Sequence, residues 1–302
     1  MNPSSPRGPA STATKALRPL CVLLADDNEI NQEAGQRILE RRGHSVGLAS
    51  TGLAVLDLLA KQHFDIVLMD CQMPEMDGFA ATDRIREREK ITGQHVPIVA
   101  LTAHAMAGDR ERCLAAGMDG YVSKPINRQE LFDTIERLVP SSPNAANANA
   151  IAPCGAPAAA WAVPAAAASA TAPAATLQPA ATLQPAATLQ PAALIDKAEL
   201  MENLGDDHEL LAQLAATFHA TTPKLMNDLR AALSAGQHEA VKQWSHKMAG
   251  KFGVFYAHSA VTAARDLETI GKSGNLAAAP AAMATLEAQL AAVSAALKSM
   301  CG

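Results

Sequence analysis

Aromatic side chains are scarce in this chain: two tryptophans, two tyrosines and six phenylalanines make up 3% of 302 residues. Much of its 49% hydrophobic content is alanine, so that figure overstates the core the chain can build. A basic excess is also missing. With 25 Lys and Arg against 30 Asp and Glu, the formal net charge is −5, and no cationic footprint argues for a nucleic-acid partner. Five cysteines (Cys21, Cys71, Cys113, Cys154, Cys301) show neither a C-x-x-C pair nor zinc-ligand spacing. That pattern argues against a disulfide framework and for reduced thiols in a cytoplasmic protein. The N-terminal stretch has no apolar segment of the kind a secretory signal needs. The longest uncharged stretch is broken by proline and made of weakly apolar alanine, so no membrane insertion is expected. Neither half carries a nucleotide-binding glycine pattern, so a kinase would have to be supplied from elsewhere, and no DNA-binding output segment is apparent.

What is present divides the chain into parts. Residues 1–19 read as a disordered Ser/Pro-rich tail. Between 139 and 194 no charged residue occurs, and PAATLQ repeats three times over 173–190. A proline in every copy prevents a long helix, and few bulky side chains are available for a core, so the stretch reads as a flexible linker. Treated as a coil of ~55 residues, it spans roughly 40 Å and would hold the flanking parts at about millimolar effective concentration.

Residues 20–138 alternate apolar runs with helical patterns. LCVLLA (20–25), HSVGLAS (44–50), DIVLM (65–69), PIVAL (97–101) and GYV (120–122) are strand candidates; 29–41, 53–61, 78–90, 106–115 and 127–138 are helix candidates. Five β units alternating with five α units imply a doubly wound α/β domain with a parallel sheet, whose site lies beyond the carboxyl ends of the strands. Residues 195–302 show helical periodicity throughout, broken at Gly205, Gly236, Gly271 to Gly274 and Pro280. They predict an all-α antiparallel bundle, with Asp196 and Asp206 as N-caps and Pro223 as a kink or restart.

The strand ends carry the chemistry. Strand one ends in Asp26-Asp27 and strand three in Asp70; neighbouring strands lie ~5 Å apart, so three carboxylates gather at one edge. Such a cluster needs compensating charge, and a hard divalent cation, Mg²⁺, suits carboxylate, carbonyl and water ligands. Thr102 after strand four supplies a hydroxyl, and Lys124 after strand five an ammonium, with Pro125 shaping the loop that aims it. These groups are fit to handle a phosphoryl anion.

In the helical half, Val241, Trp244, Met248, Phe252 and Phe255 form one apolar stripe. At ~100° per residue His246 falls nearly opposite its centre and is expected to face solvent. Lys247 and Lys251 offer positive charge nearby. Gly250, one turn on, is a costly residue in mid-helix unless another backbone or a partner approaches closely there.

LLADDNEINQ, VLMDCQMPEMDGF, IVALTA and AAGMDGYVSKPI, in this order, resemble the receiver domain of bacterial response regulators and hybrid sensor kinases. The resemblance implies a flavodoxin-like sheet of order 2-1-3-4-5 and a phosphoacceptor at Asp70. It implies Mg²⁺ ligation by Asp27, Asp26 (largely through water), Asp70 and the Gln72 carbonyl. Thr102 and Lys124 would hold phosphoryl oxygens, and Tyr121 would be the aromatic that changes rotamer on activation. Residues 209–268 are similar to histidine-containing phosphotransfer (HPt) domains, four-helix bundles in which His246 would be the phosphorylated residue, supported by Lys247 and Gly250. Ala249 stands where that family very often has a second lysine. The combined expectation is a two-component phosphorelay protein served by a sensor histidine kinase and a downstream receiver. A non-catalytic adaptor or a phosphate sink without a relay through His246 is the alternative.

Overall fold

The computed structural model describes residues 18–102, 107–139 and 194–301, without the side chains of 107–109. Residues 140–193 of the repeat-bearing linker and all but the last two residues of the N-terminal tail lie outside the described residues.

The first domain is a five-stranded parallel sheet in the order β2-β1-β3-β4-β5. Its strands are β1 (Cys21–Ala25), β2 (Ser45–Ala49), β3 (Ile66–Asp70), β4 (Ile98–Thr102) and β5 (Gly120–Ser123). Every residue of β1, β3 and β4 is buried, which is why these segments read as unbroken apolar runs: helices cover both faces of the sheet. On one face, Ile38 and Leu39 of α1 (Glu29–Arg41) and Leu131, Phe132 and Ile135 of α5 (Arg128–Leu138) pack onto Val22, Leu24 and Leu68. On the other, Val55 and Leu59 of α2 (Gly52–Lys61), Ala81 and Ile85 of α3 (Gly78–Thr92) and Cys113 of α4 (Ala107–Ala115) pack onto Leu23, Val67 and Met69. Asn28, Thr51, Asp77 and Asn127 cap α1, α2, α3 and α5 with side-chain oxygens, so these four βα turns close with an acceptor at the helix start. β3 runs one residue further than the apolar pattern suggests and ends on Asp70 itself.

The second domain is helical. A short α6 (Lys197–Leu204) precedes four longer helices: α7 (His208–Ser234), α8 (His238–Val254), α9 (His258–Ser273) and α10 (Ala279–Cys301). α7 packs on α8, α8 on α9, α9 on α10 and α10 back on α7, closing a four-helix ring. At its centre Phe218 of α7 meets Phe252 and Phe255, with ring centroids 5.9 and 5.4 Å apart.

Three local expectations change. Asp206 is not a cap: Gly205 (φ 66°) and Asp206 (φ 56°) turn left-handed to end α6, so Asp207 is the residue free to cap α7, accepting from the Leu210 N–H. Pro223 neither ends nor restarts α7, because residues on both sides of it, Phe218 and Met226 among them, are held in the same core. Cys71, Cys113 and Cys301 form no disulfide, whereas Cys21 is disulfide-bonded, against the expectation of thiols throughout. Leu276–Cys301 is long and apolar enough to cross a membrane by length and composition. Met283, Leu286, Val293 and Leu297 of this segment are buried in the bundle core.

Replacing the central phenylalanine, Phe252→Ala, is expected to lower the stability of the helical domain by about 3–5 kcal/mol through lost burial and the cavity left behind. Chemical denaturation followed by far-UV circular dichroism measures it. A loss under ~1 kcal/mol would show that this aromatic cluster does not anchor the bundle.

Candidate functional site

Register brings the acidic residues together. Ala25 pairs with Met69 across the β1–β3 ladder, so the strand ends deliver Asp26, Asp27 and Asp70 to one edge. A carboxylate oxygen of each lies within 4.8 Å of the others. Asp26 is fully buried; its Oδ1 accepts from the Asn28 N–H (2.9 Å) and from Asn31 Nδ2 (3.0 Å). Asp70 Oδ1 accepts from the Gln72 N–H at 3.1 Å. Lys124 Nζ lies 2.6 Å from Asp26 Oδ2 and 2.6 Å from Asp70 Oδ2. Its loop is held by the Lys124 N–H donating to the Thr102 carbonyl at 2.7 Å, and the Lys124–Pro125 peptide is cis. Gly78 is required behind the site, because a Cβ there would collide with the Asp70 carbonyl.

Burial pushes the Asp70 carboxyl up to about 6 and Asp26 adds to the rise, against the pull of Lys124. Burial alone would lower Lys124, but the two carboxylates overcome it and raise the ammonium above its ordinary range. Within the receiver, three carboxylates face this one ammonium, and the bundle's Lys247, 2.9 Å from Asp27 Oδ2, offsets one of the two remaining negative charges. A compact set of hard oxygen donors with that excess fits a divalent cation of the Mg²⁺ type.

The other expected residues fall as follows. Thr102, buried, ends β4 and is in register with Ser123 of β5. Gln72 is exposed beside Asp70. Tyr121 is half-buried against the core formed with α2, α3 and α4, with the Arg110 guanidinium 5.5 Å from its ring centre, and it does not line the acidic cleft.

His246 departs from expectation. Its side chain is 17% exposed and does not face open solvent. It lines a cavity of about 530 Å³ together with Asp27, Asp70 and Lys124, so the receiver covers the side of α8 opposite its apolar stripe. Its Nδ1 lies 3.4 Å from Glu268 Oε2 of α9, and Lys272 Nζ stands 2.6 Å from the other oxygen of that carboxylate. Burial pushes Glu268 up, but His246 and Lys272 outweigh it and hold the carboxyl at about 2.

Around the histidine, Lys247 Nζ lies 2.9 Å from Asp27 Oδ2. Lys251 points elsewhere: it is buried and donates to Thr221 Oγ1 at 2.6 Å, and burial lowers its pKa. Ala249 is 7% exposed and joins the bundle core. At Gly250 a Cβ would come within 2.9 Å of Nδ2 of Asn28, the N-cap of α1, so a larger residue would displace that side chain: the receiver lies against this position.

Glu268, Asn28, Asn31 and the Lys247–Asp27 pair escape the sequence reading. The signal for Asn28 was present, as an Asx residue just before a helix pattern. Glu268 lies 22 residues from His246 and meets it through the packing of α9 on α8.

Residues 22–136 match the family model of the response regulator receiver domain, and residues 213–296 match that of the Hpt domain. The polar-differentiation response regulator DivK of Brucella ovis is 36% identical over 115 residues, covering 38% of this chain and 92% of that protein. Hybrid signal transduction histidine kinase I of Dictyostelium discoideum is 43% identical over 126 residues, 40% of this chain. Histidine kinase 2 of Arabidopsis thaliana is 39% identical over 141 residues, also 40% of this chain. The chain spans 7% and 12% of the length of these two kinases, and the similarity is not confined to bacteria. Among solved structures, the receiver domain of a sensor histidine kinase from Pseudomonas aeruginosa, with magnesium in its active-site cleft, is 41% identical. It covers 40% of this chain and 98% of its own, with a TM-score of 0.37. With its buried acidic cleft and facing histidine, this chain belongs to the response regulator receiver family, its receiver joined to an Hpt domain as in two-component phosphorelay proteins.

Proposed function

We propose that Asp70 accepts a phosphoryl group from a sensor histidine kinase and that His246 carries it to or from a receiver, in the cytoplasm and with Mg²⁺. The observation that carries this reading is the shared cavity: acceptor carboxylate, lysine and histidine line one space. The alternative of a pure adaptor leaves a cluster of three carboxylates, two of them buried, without a use.

The residues divide the work. In transfer from aspartate to histidine, the lone pair of His246 Nε2 forms the P–N bond. The P–O bond to Asp70 breaks, and its electron pair returns to the carboxylate. Lys124, already 2.6 Å from Asp70 Oδ2, steadies that returning charge. Glu268 holds Nδ1–H, which leaves Nε2 with the free lone pair. In the reverse direction the same contact keeps Nδ1 protonated, so the ring leaves as neutral imidazole. Thr102 holds a phosphoryl oxygen from the end of β4, and Tyr121 takes part as the switching aromatic. Asp26, Asp27, Asp70 and the Gln72 carbonyl would hold Mg²⁺, which when bound neutralises phosphoryl charge.

The full chain incubated with a small acyl phosphate and Mg²⁺ is expected to form both base-labile aspartyl and acid-labile, base-stable histidyl phosphate. A phosphate-affinity gel after acid or base treatment separates the two. Asp70→Asn is expected to abolish both and His246→Gln the second alone. Wild type that shows no phosphohistidine, with this donor or from a phosphorylated second receiver, would leave the sink or adaptor reading in its place.

Glu268 yields a pH prediction. Its carboxyl is held at about 2, below the ordinary 4.5, so its share of stability is complete above pH ~4.5 and is lost as pH falls toward ~2. In Glu268→Gln the fall in melting temperature across that window is expected to be shallower than in wild type. Parallel curves would show that the carboxylate is not held by His246 and Lys272.

A further inference from the structure

The receiver and the bundle meet over more than the two phosphoryl-bearing residues. Ile30 and Ala34 of α1 are buried in the same apolar cluster as the bundle core, and α1 lies on both α7 and α8. Polar contacts surround this patch. Asn28 Nδ2 donates to the Lys247 carbonyl at 3.4 Å, and Thr217 Oγ1 donates to Glu33 Oε2 at 2.8 Å.

A second set of contacts comes from α6, which precedes residue 213, where the Hpt match begins. Asn203 Nδ2 donates to the Ile126 carbonyl at 2.8 Å, while its Oδ1 accepts from the Arg128 N–H at 2.6 Å. Asn127, the N-cap of α5, takes the N–H groups of Gln129 and Glu130, so Asn203 satisfies a first-turn donor that the cap leaves open. The same amide therefore grips both sides of residue 127, in the loop that follows Lys124. Nearby, Arg41 Nη1 donates to the Leu204 carbonyl at 3.1 Å and to Asp207 Oδ2 at 2.9 Å. A carboxamide engaged on both edges by backbone groups of one loop reads geometry, and adjustable surface charge does not replace it.

We propose that α6, through Asn203, is an address element that seats the bundle on its own receiver, so that His246 exchanges with Asp70 of the same chain and a foreign receiver gains access only on undocking. This rests on the relay reading above. In the seated form α1 and the rim of the acidic cleft are covered, and the face of α8 bearing Gly250 lies against Asn28. Any other receiver needing that face competes with a tethered neighbour, and its apparent affinity falls by the fraction of chains that are open.

The test uses full chains. Asp70→Asn retains the histidine and His246→Gln retains the aspartate, so histidyl phosphate formed in their mixture requires exchange between chains. That exchange is expected to be slow and to rise by about tenfold when Asn203→Ala is added to both chains, because each cleft opens more often. In the otherwise wild-type chain the same substitution is expected to slow formation of phosphohistidine at low protein concentration. Equal rates with and without Asn203→Ala in both settings would overturn the proposal.

Small-angle X-ray scattering judges the docking without any phosphate chemistry. Wild type is expected to be more compact than Gly250→Leu, whose added side chain meets Asn28 while sitting on a helix that tolerates leucine. Identical radii of gyration for the two would overturn the docked arrangement. If no chain in any mixture forms phosphohistidine, the relay reading fails, and the scattering comparison still decides the docking.

Discussion

The structure depends on placing three carboxylates at the carboxyl edge of a buried parallel sheet and supplying enough positive charge to keep them there. Asp26 is fully buried and Asp70 nearly so, and their repulsion is therefore felt in a poorly screened environment. Lys124 answers part of it from β5, and two asparagines from the β1–α1 turn and α1 answer more through hydrogen bonds. The residual negative charge makes the edge a place where a cation is welcome, and a phosphoryl group is accommodated there only with positive charge beside it. The flanking layers, capped helices and the glycine behind Asp70 hold this edge rigid.

The same charge excess explains how the two domains meet. Lys247 comes from the helix that bears the histidine and reaches Asp27, so the bundle brings a cation to the receiver's acidic rim. Apolar burial of Ile30 and Ala34 supplies area, and the Asn203 amide supplies direction, since it fits one pair of backbone groups. Each of these interactions is modest. Together they leave His246 inside a cavity that also contains Asp70 and Lys124, with Glu268 behind its ring.

Much of the receiver was legible in advance because its rules are local. Strands buried on both faces carry unbroken apolar runs, and β3, β4 and β5 each run one residue past the predicted end, where a polar residue, Asp70, Thr102 or Ser123, completes the ladder. The helical domain was legible as a bundle, but its details depended on contacts between helices. Pro223 looked like a break because periodicity cannot weigh one lost hydrogen bond against burial on both sides. Asp206 looked like a cap because pattern alone cannot show that Gly205 leaves it in a left-handed turn.

By itself the sequence determined the order of elements, the acidic edge with its lysine, and the stripe that puts His246 on the far side of α8 from the bundle core. Strand alternation and helical period are short-range properties, so one chain suffices to read them. The tertiary structure alone decided what covers that far side. His246 was expected in solvent and lies in a cleft, Lys251 was expected beside it and turns to Thr221, and Glu268 had no visible link to it. Those outcomes follow from the packing of separate elements across long sequence separations, and no periodicity within one helix encodes which surface will be laid against it.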